Sequence, residues 1–242
     1  MEKEEKETKG KITKNVVNPK VNAASHDTSE IIPQLTAYEI FEKCIIRAEN
    51  LISIQTFTVD VERISEQHYC DCYRAAIVLS ISALDAYIRK IVISEIVKMF
   101  LDKKPLNENL RKYIKELLNQ DKLLDAVRDY DIIKPVEDAI KEDFGTKSFQ
   151  GEWKISYYLG LLGHENIFSK VADEANISEK ILRKNIEIFT KRRHIIAHSG
   201  DYDLNQNPHK ENEIKIDDVK KCIDVVKTFV QNINKIIINK KQ

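Results

Sequence analysis

The chain has 242 residues, 42% of them hydrophobic, enough to bury a sizeable core as one large domain or two small ones. Its 39 lysines and arginines balance 39 aspartates and glutamates, which excludes a net field that steers the whole protein onto nucleic acid and leaves only local electrostatics. Six glycines and five prolines against 32% charged residues exclude the turn-rich make-up of all-β proteins and predict an all-α fold.

Residues 1–34 alternate Lys and Glu, then become Asn/Ser/Thr-rich around Pro19 and Pro33 with no hydrophobic period. A disordered or loosely docked tail is expected there, followed by one folded domain over residues 35–242. The opening "MEKEEKETKGK" lacks the apolar core of a signal peptide, and Cys44, Cys70, Cys72 and Cys222 show no paired framework spacing, so a cytoplasmic, reduced protein is expected. The first helix is predicted to open at "TAYE", where Thr36 and Glu39 have capping-box spacing, and to continue through "IFEKCIIRAENLISI". In "HYCDCY", His68, Cys70 and Cys72 stand two apart and face nearly opposite ways on a helix, with no second pair to complete a metal site.

Residues 73–101 carry apolar residues on nearly every face, which predicts the central, most buried helix. Its stretch "AAIVLSISALDAYI" is interrupted by Asp85 and followed at once by Arg89, too short and too polar to span a bilayer, so no membrane association is expected. From about 105 to 175 the chain is predicted to break into shorter helices at Pro105, Pro135, Gly145, Gly151, Gly160 and Gly163. Residues 116–143 hold nine acids against four bases. The single tryptophan, Trp153, reads as a packing anchor rather than a base-stacking platform.

A strong helix is predicted from an N-cap at Ser178 through "EKILRKNIEIFTKRRHIIAH" to a stop at Gly200. A final amphipathic helix from Asp217 repeats Val219, Ile223, Val226 and Val230 at spacings of three and four. No internal repeat and no Gly-rich phosphate loop is present.

The end of the first of these two helices, "KRRHIIAHSGDYD", carries the candidate chemistry. Nine arginines and six histidines make an Arg-to-His spacing weak by itself. Register is more telling: Leu182, Ile186, Phe189, Arg193 and Ile196 step by four, three, four and three, so Arg193 occupies an apolar stripe. A guanidinium there costs several kcal/mol, of order 3, unless a carboxylate, a phosphate or an enclosed polar site answers it. The alternative is that it snorkels to water along its stem. His194 and His198, one turn apart, lie near one edge, and each could equally be a C-terminal cap. On an ideal helix Arg193 and His198 point roughly 140° apart, so fraying after Ala197 or a second copy across a two-fold axis would be needed to bring them together. Asp85 breaks its own apolar stripe and is a candidate partner for Arg193 or a histidine; pairing with Arg89 one turn later is the alternative.

These residues resemble a known family. "RRHIIAH" matches the R-x4-H signature of the HEPN superfamily, with polar His194 directly after the arginine. A buried "AAIVLSISALDAYIRKIV" helix upstream and an amphipathic helix downstream make the chain similar to the stand-alone prokaryotic branch called RiboL-PSP-HEPN, over roughly residues 36–240. The resemblance implies an all-helical bundle with long central helices and extra short ones, dimerised so that two R-x4-H motifs face each other. It implies a metal-independent endoribonuclease that needs no cofactor, used as a toxin or anti-phage (abortive infection) effector. Carried over by position, Arg193 and His198 are the catalytic pair and His194 assists. HEPN toxins silenced by a nucleotidyltransferase carry a tyrosine two residues after the histidine; here that position is Gly200 and the nearest tyrosine is Tyr202, so that control is not implied.

Metal-free RNA cleavage needs a proton taken from the 2′-hydroxyl, a phosphorane stabilised and the leaving 5′-oxygen protonated. Histidine suits the proton work and arginine the phosphorane. From Glu179 to Arg193 six bases face two acids, a local balance of +4 that favours phosphate, with Lys191 and Arg192 as RNA-binding candidates. Single-stranded or loop RNA is the expected ligand, and an antitoxin or defence-system protein an expected partner. The alternatives are a catalytically silent HEPN module that binds RNA, nucleotide or protein, and a plain helical scaffold.

Overall fold

A computed structural model describes residues 35–57, 66–118, 120–205, 208 and 210–239. The tail expected over residues 1–34 and the His68 side chain lie outside the described residues. Helix α1 (Ala37–Phe57) begins where the sequence places it: the Thr36 amide donates to Glu39 Oε2 at 2.7 Å and the Glu39 amide donates to Thr36 Oγ1 at 3.2 Å. Each closes an amide that the first turn would leave unpaired. Helix α2 (Glu66–Leu101) buries Ile77, Ile81, Leu84, Ile88, Val92 and Ile96 along one side and Ala76, Ala83 and Tyr87 beside them, packed against α1, two of the shorter helices and the two long helices that close the chain. An apolar residue at nearly every turn position is what a helix surrounded by other helices requires.

Five shorter helices follow: α3 (Glu108–Leu117), α4 (Gln120–Arg128), α5 (Ile133–Gly145), α6 (Glu152–Leu161) and α7 (Ile167–Ala175). Asn107 caps α3, its Oδ1 accepting from the Leu110 amide at 2.8 Å. Pro135 sits in the first turn of α5, where its missing N–H costs nothing, and so opens a helix instead of separating two. Phe144, Phe149 and Tyr158 form a buried aromatic cluster, with Phe149 4.5 Å from each of the other two ring centroids, and so tie the α5–α6 connection to the core.

Helix α8 (Glu179–Ser199) buries Leu182, Ile186 and Phe189, and α9 (Ile216–Asn239) buries Val219, Ile223, Val226 and Val230. Ser178 holds the N-cap position of α8 in extended conformation without a side-chain capping bond. At the other end Gly200 takes a left-handed φ of 59° and its amide donates to the Ile195 carbonyl. The chain then reverses through two short antiparallel strands, β1 (Tyr202–Asp203) and β2 (Lys210–Glu211), the one departure from all-helical structure among the described residues. No described helix is long and apolar enough to cross a membrane.

Candidate active site

The last turns of α8 face the segment that enters α6. Ser148, Gln150 and Lys154 from that segment and Thr190, Lys191, Arg193, His194, Ile195 and His198 from α8 line one open cleft of about 540 Å³. His194 and His198 are exposed, their ring centroids 4.3 Å apart at 44°. All three motif residues line this one cleft, with Arg193 and His198 still roughly 140° apart around α8. His194 lies about 40° around the helix from His198 and about 100° from Arg193, so it bridges the gap, and a wall facing that flank is shared by all three.

Arg193 is half-buried at the end of the stripe formed by Leu182, Ile186 and Phe189. Its Nε is buried without a hydrogen-bond partner, as is Thr190 Oγ1 on the same cleft wall. Among the described residues no carboxylate pairs with Arg193. Buried polar atoms are nearly always satisfied in folded proteins, so Arg193 Nε and Thr190 Oγ1, like the neighbouring Arg192 Nε, are exceptions beside the cleft.

The Asp85 side chain does not meet the motif. Its Oδ1 accepts from the Phe149 amide at 2.7 Å and its Oδ2 pairs with Arg89 at 3.3 Å. Arg89 in turn donates to the carbonyls of Phe144 and Lys147. The expectation of a direct partnership with Arg193 or a histidine gives way to the alternative, pairing with Arg89, because the 144–149 turn offers the pair an amide and two carbonyls. Asp85 thus supports the cleft indirectly, by fixing the turn next to Ser148 and Gln150.

The two basic residues proposed for RNA separate. Lys191 is exposed on the cleft, in a surface pair with Glu187 at 3.1 Å. Arg192 turns inward: its Nη2 donates to Asp201 Oδ2 at 2.6 Å and to the Glu213 carbonyl at 3.0 Å. Asp201 is fully buried, has a left-handed φ of 69°, and also accepts from Arg74 Nε at 2.9 Å. Burial works against the Arg74 charge, yet its hydrogen bond to Asp201 and the nearby Glu211 and Asp71 outweigh that and hold its pKa above the ordinary value. Sequence reading passed over Arg74 and Asp201. Arg74 carries the signal that singled out Arg193, since it falls on the stripe of Ile77, Ile81 and Leu84; Asp201 follows a helix stop and gives no such signal.

The fold is a helical bundle in which Arg193, His194 and His198 line one cleft at the end of α8. The chain matches the RiboL-PSP-HEPN family over residues 42–239 and belongs to it. That membership associates the chain with RNA-related, nuclease-type function. Neither the curated proteins nor the solved structures compared with the chain contain a match.

Proposed function

We propose that this protein is a metal-independent endoribonuclease whose site is built from Arg193, His198 and His194. The observation that carries the reading is half-buried Arg193, without an ion-pair partner among the described residues and with its buried Nε unsatisfied, beside adjacent imidazoles on one cleft. A scissile phosphate seated there meets the guanidinium with its non-bridging oxygens. One imidazole takes the 2′-hydroxyl proton as O2′ bonds to phosphorus. The P–O5′ bond breaks, and a protonated imidazole gives its proton to O5′, leaving a 2′,3′-cyclic phosphate and a 5′-hydroxyl. Lys191 and Lys154 hold flanking phosphates.

The working unit is a homodimer with the two clefts side by side. Ile181 and Ile188, 58% and 45% exposed, recur seven residues apart and continue toward Ile195 beside His198, an apolar strip that a second α8 would cover. In the cytoplasm such an enzyme acts as a toxin or anti-phage effector.

Purified protein incubated with single-stranded RNA in EDTA is expected to cut it and leave cyclic phosphate ends, and His198→Ala to abolish cutting. A mutant as fast as wild type removes His198 from the chemistry. Binding without cutting by wild type makes the chain an RNA-binding module instead. Expression of wild type should arrest growth and Arg193→Ala should not.

A further inference from the structure

Trp153 does not anchor the core. It is 74% exposed in the first turn of α6, and its ring lies on that of Tyr157 one turn later, with centroids 5.6 Å apart and planes 13° from parallel. Tyr157 is held edge-on at 5.0 Å by Tyr158, which belongs to the buried cluster with Phe144 and Phe149. A rigid two-ring stack is therefore fixed to the core at one end, and the indole at the other end is mostly exposed to water. Leaving most of a large apolar ring in water forgoes burial that a packing tryptophan would gain, so the position calls for a surface-side explanation.

The surroundings supply one. Lys154, the next residue, lines the cleft that holds Arg193, His194 and His198. Tyr157, at the other end of the stack, lines a second concavity of about 400 Å³ together with Asn109, Lys112, Ser156 and Gly160. Helix α6 thus runs from one hollow to the other, with Lys154 in the first, Lys112 beside Glu116 in the second, and the aromatic stack between them. Phosphate-binding cations alternating with flat rings are what a single strand needs, because each unstacked base offers a π-face and each phosphate a charge.

We propose that Trp153 and Tyr157 form a base-stacking platform that receives a nucleotide next to the one cut, directing single-stranded RNA along α6. This rests on the ribonuclease reading of the adjacent cleft, and it names single-stranded RNA as the substrate class by a contact outside the catalytic set. A duplex keeps its bases stacked inside and gains nothing from the platform.

Trp153 is the only tryptophan in the chain, so its fluorescence reports on this contact alone. The test uses full-length protein and a 2′-O-methyl oligoribonucleotide, which lacks the attacking hydroxyl and stays intact. Single-stranded oligonucleotide should quench the emission saturably, and the matching duplex should not. Trp153→Ala should weaken affinity for the single strand by roughly 5- to 100-fold, read by anisotropy of a labelled oligonucleotide, and Trp153→Phe should restore most of it. Unquenched emission on a saturated complex, or equal affinity of Trp153→Ala and wild type, overturns the platform. So does a Trp153→Ala protein whose only change is weaker dimerisation in sedimentation, which would assign the ring to a second copy. Cutting of unmodified RNA separates the two readings: cleavage without quenching removes the platform and leaves the nuclease, while quenching without cleavage does the reverse.

Discussion

Arg192 Nη2 and Asp201 Oδ2 lie 2.6 Å apart, and the same carboxylate oxygen accepts from Arg74 Nε at 2.9 Å. One buried anion therefore joins α2, the end of α8 and the strand that follows. Asn212 completes the joint, its amide donating to the Asp201 carbonyl at 2.9 Å and its Nδ2 to the same carbonyl at 2.7 Å. Removing this buried carboxylate leaves Arg192 without an ion-pair partner among the described residues, beside an Arg74 that keeps only Asp71 and Glu211 at its outer edge. Asp201→Ala is expected to destabilise the fold by about 3–5 kcal/mol, measured as a lower midpoint in urea at unchanged slope. His198 lies three residues before Asp201, so cutting should fall as well. A variant as stable as wild type would show that water, not Asp201, keeps the two guanidinium groups apart.

Arg193 makes the opposite prediction. Its charge sits at the end of an apolar stripe with no carboxylate answering it among the described residues, so the free protein carries a cost that the proposed phosphate would relieve. Arg193→Met, which keeps length and apolar packing, should leave unfolding stability unchanged or raised. Cleavage should drop by roughly 10²- to 10³-fold, the usual loss for one transition-state hydrogen-bond donor. Destabilisation with full activity would make Arg193 a structural residue.

Asp85 acts on the cleft from behind. Asp85→Ala removes the acceptor of the buried Phe149 amide and frees Arg89, which should cost about 1–3 kcal/mol. Because the 144–149 turn leads into Ser148 and Gln150 on the cleft wall, RNA affinity should fall more than the turnover of bound RNA. A variant with normal KM and depressed kcat would place Asp85 closer to the chemistry than its contacts do.

The pH dependence at the start of α1 follows from Glu39, whose carboxyl is held below its ordinary value of 4.5 mainly by the hydrogen bond from the Thr36 backbone. A carboxylate with a depressed folded-state pKa stabilises the fold above its unfolded value, and that contribution disappears as pH falls through the folded one. Glu39→Gln should therefore melt below wild type at about pH 7, and the gap should narrow at about pH 3. A gap of constant size would assign the effect to amide geometry and not to charge.

Much of this protein is legible in one dimension. Helical class, the buried α2, the Thr36–Glu39 capping box, the Gly200 stop and the placement of Arg193 on an apolar stripe all follow from residues within a few turns of each other. The 3.6-residue period writes such features directly into sequence, because neighbours three or four positions apart share a face whatever the rest of the chain does.

Partnerships across the fold were not legible. Asp201 meets Arg74 across 127 positions, and Asp85 meets the Phe149 amide across 64. Each choice depends on which turn packing delivers to a given carboxylate. Trp153 looked like a core residue by type, and only the placement of α6 leaves its ring outside while Tyr158 goes in. The wall from Ser148 to Lys154 that gathers Arg193, His194 and His198 onto one cleft is likewise a product of packing. Sequence determined which groups the end of α8 carries, because helical period is local; tertiary structure decided which of them are locked in ion pairs and which stay open to a ligand, because a side chain's partner is set by distance in space.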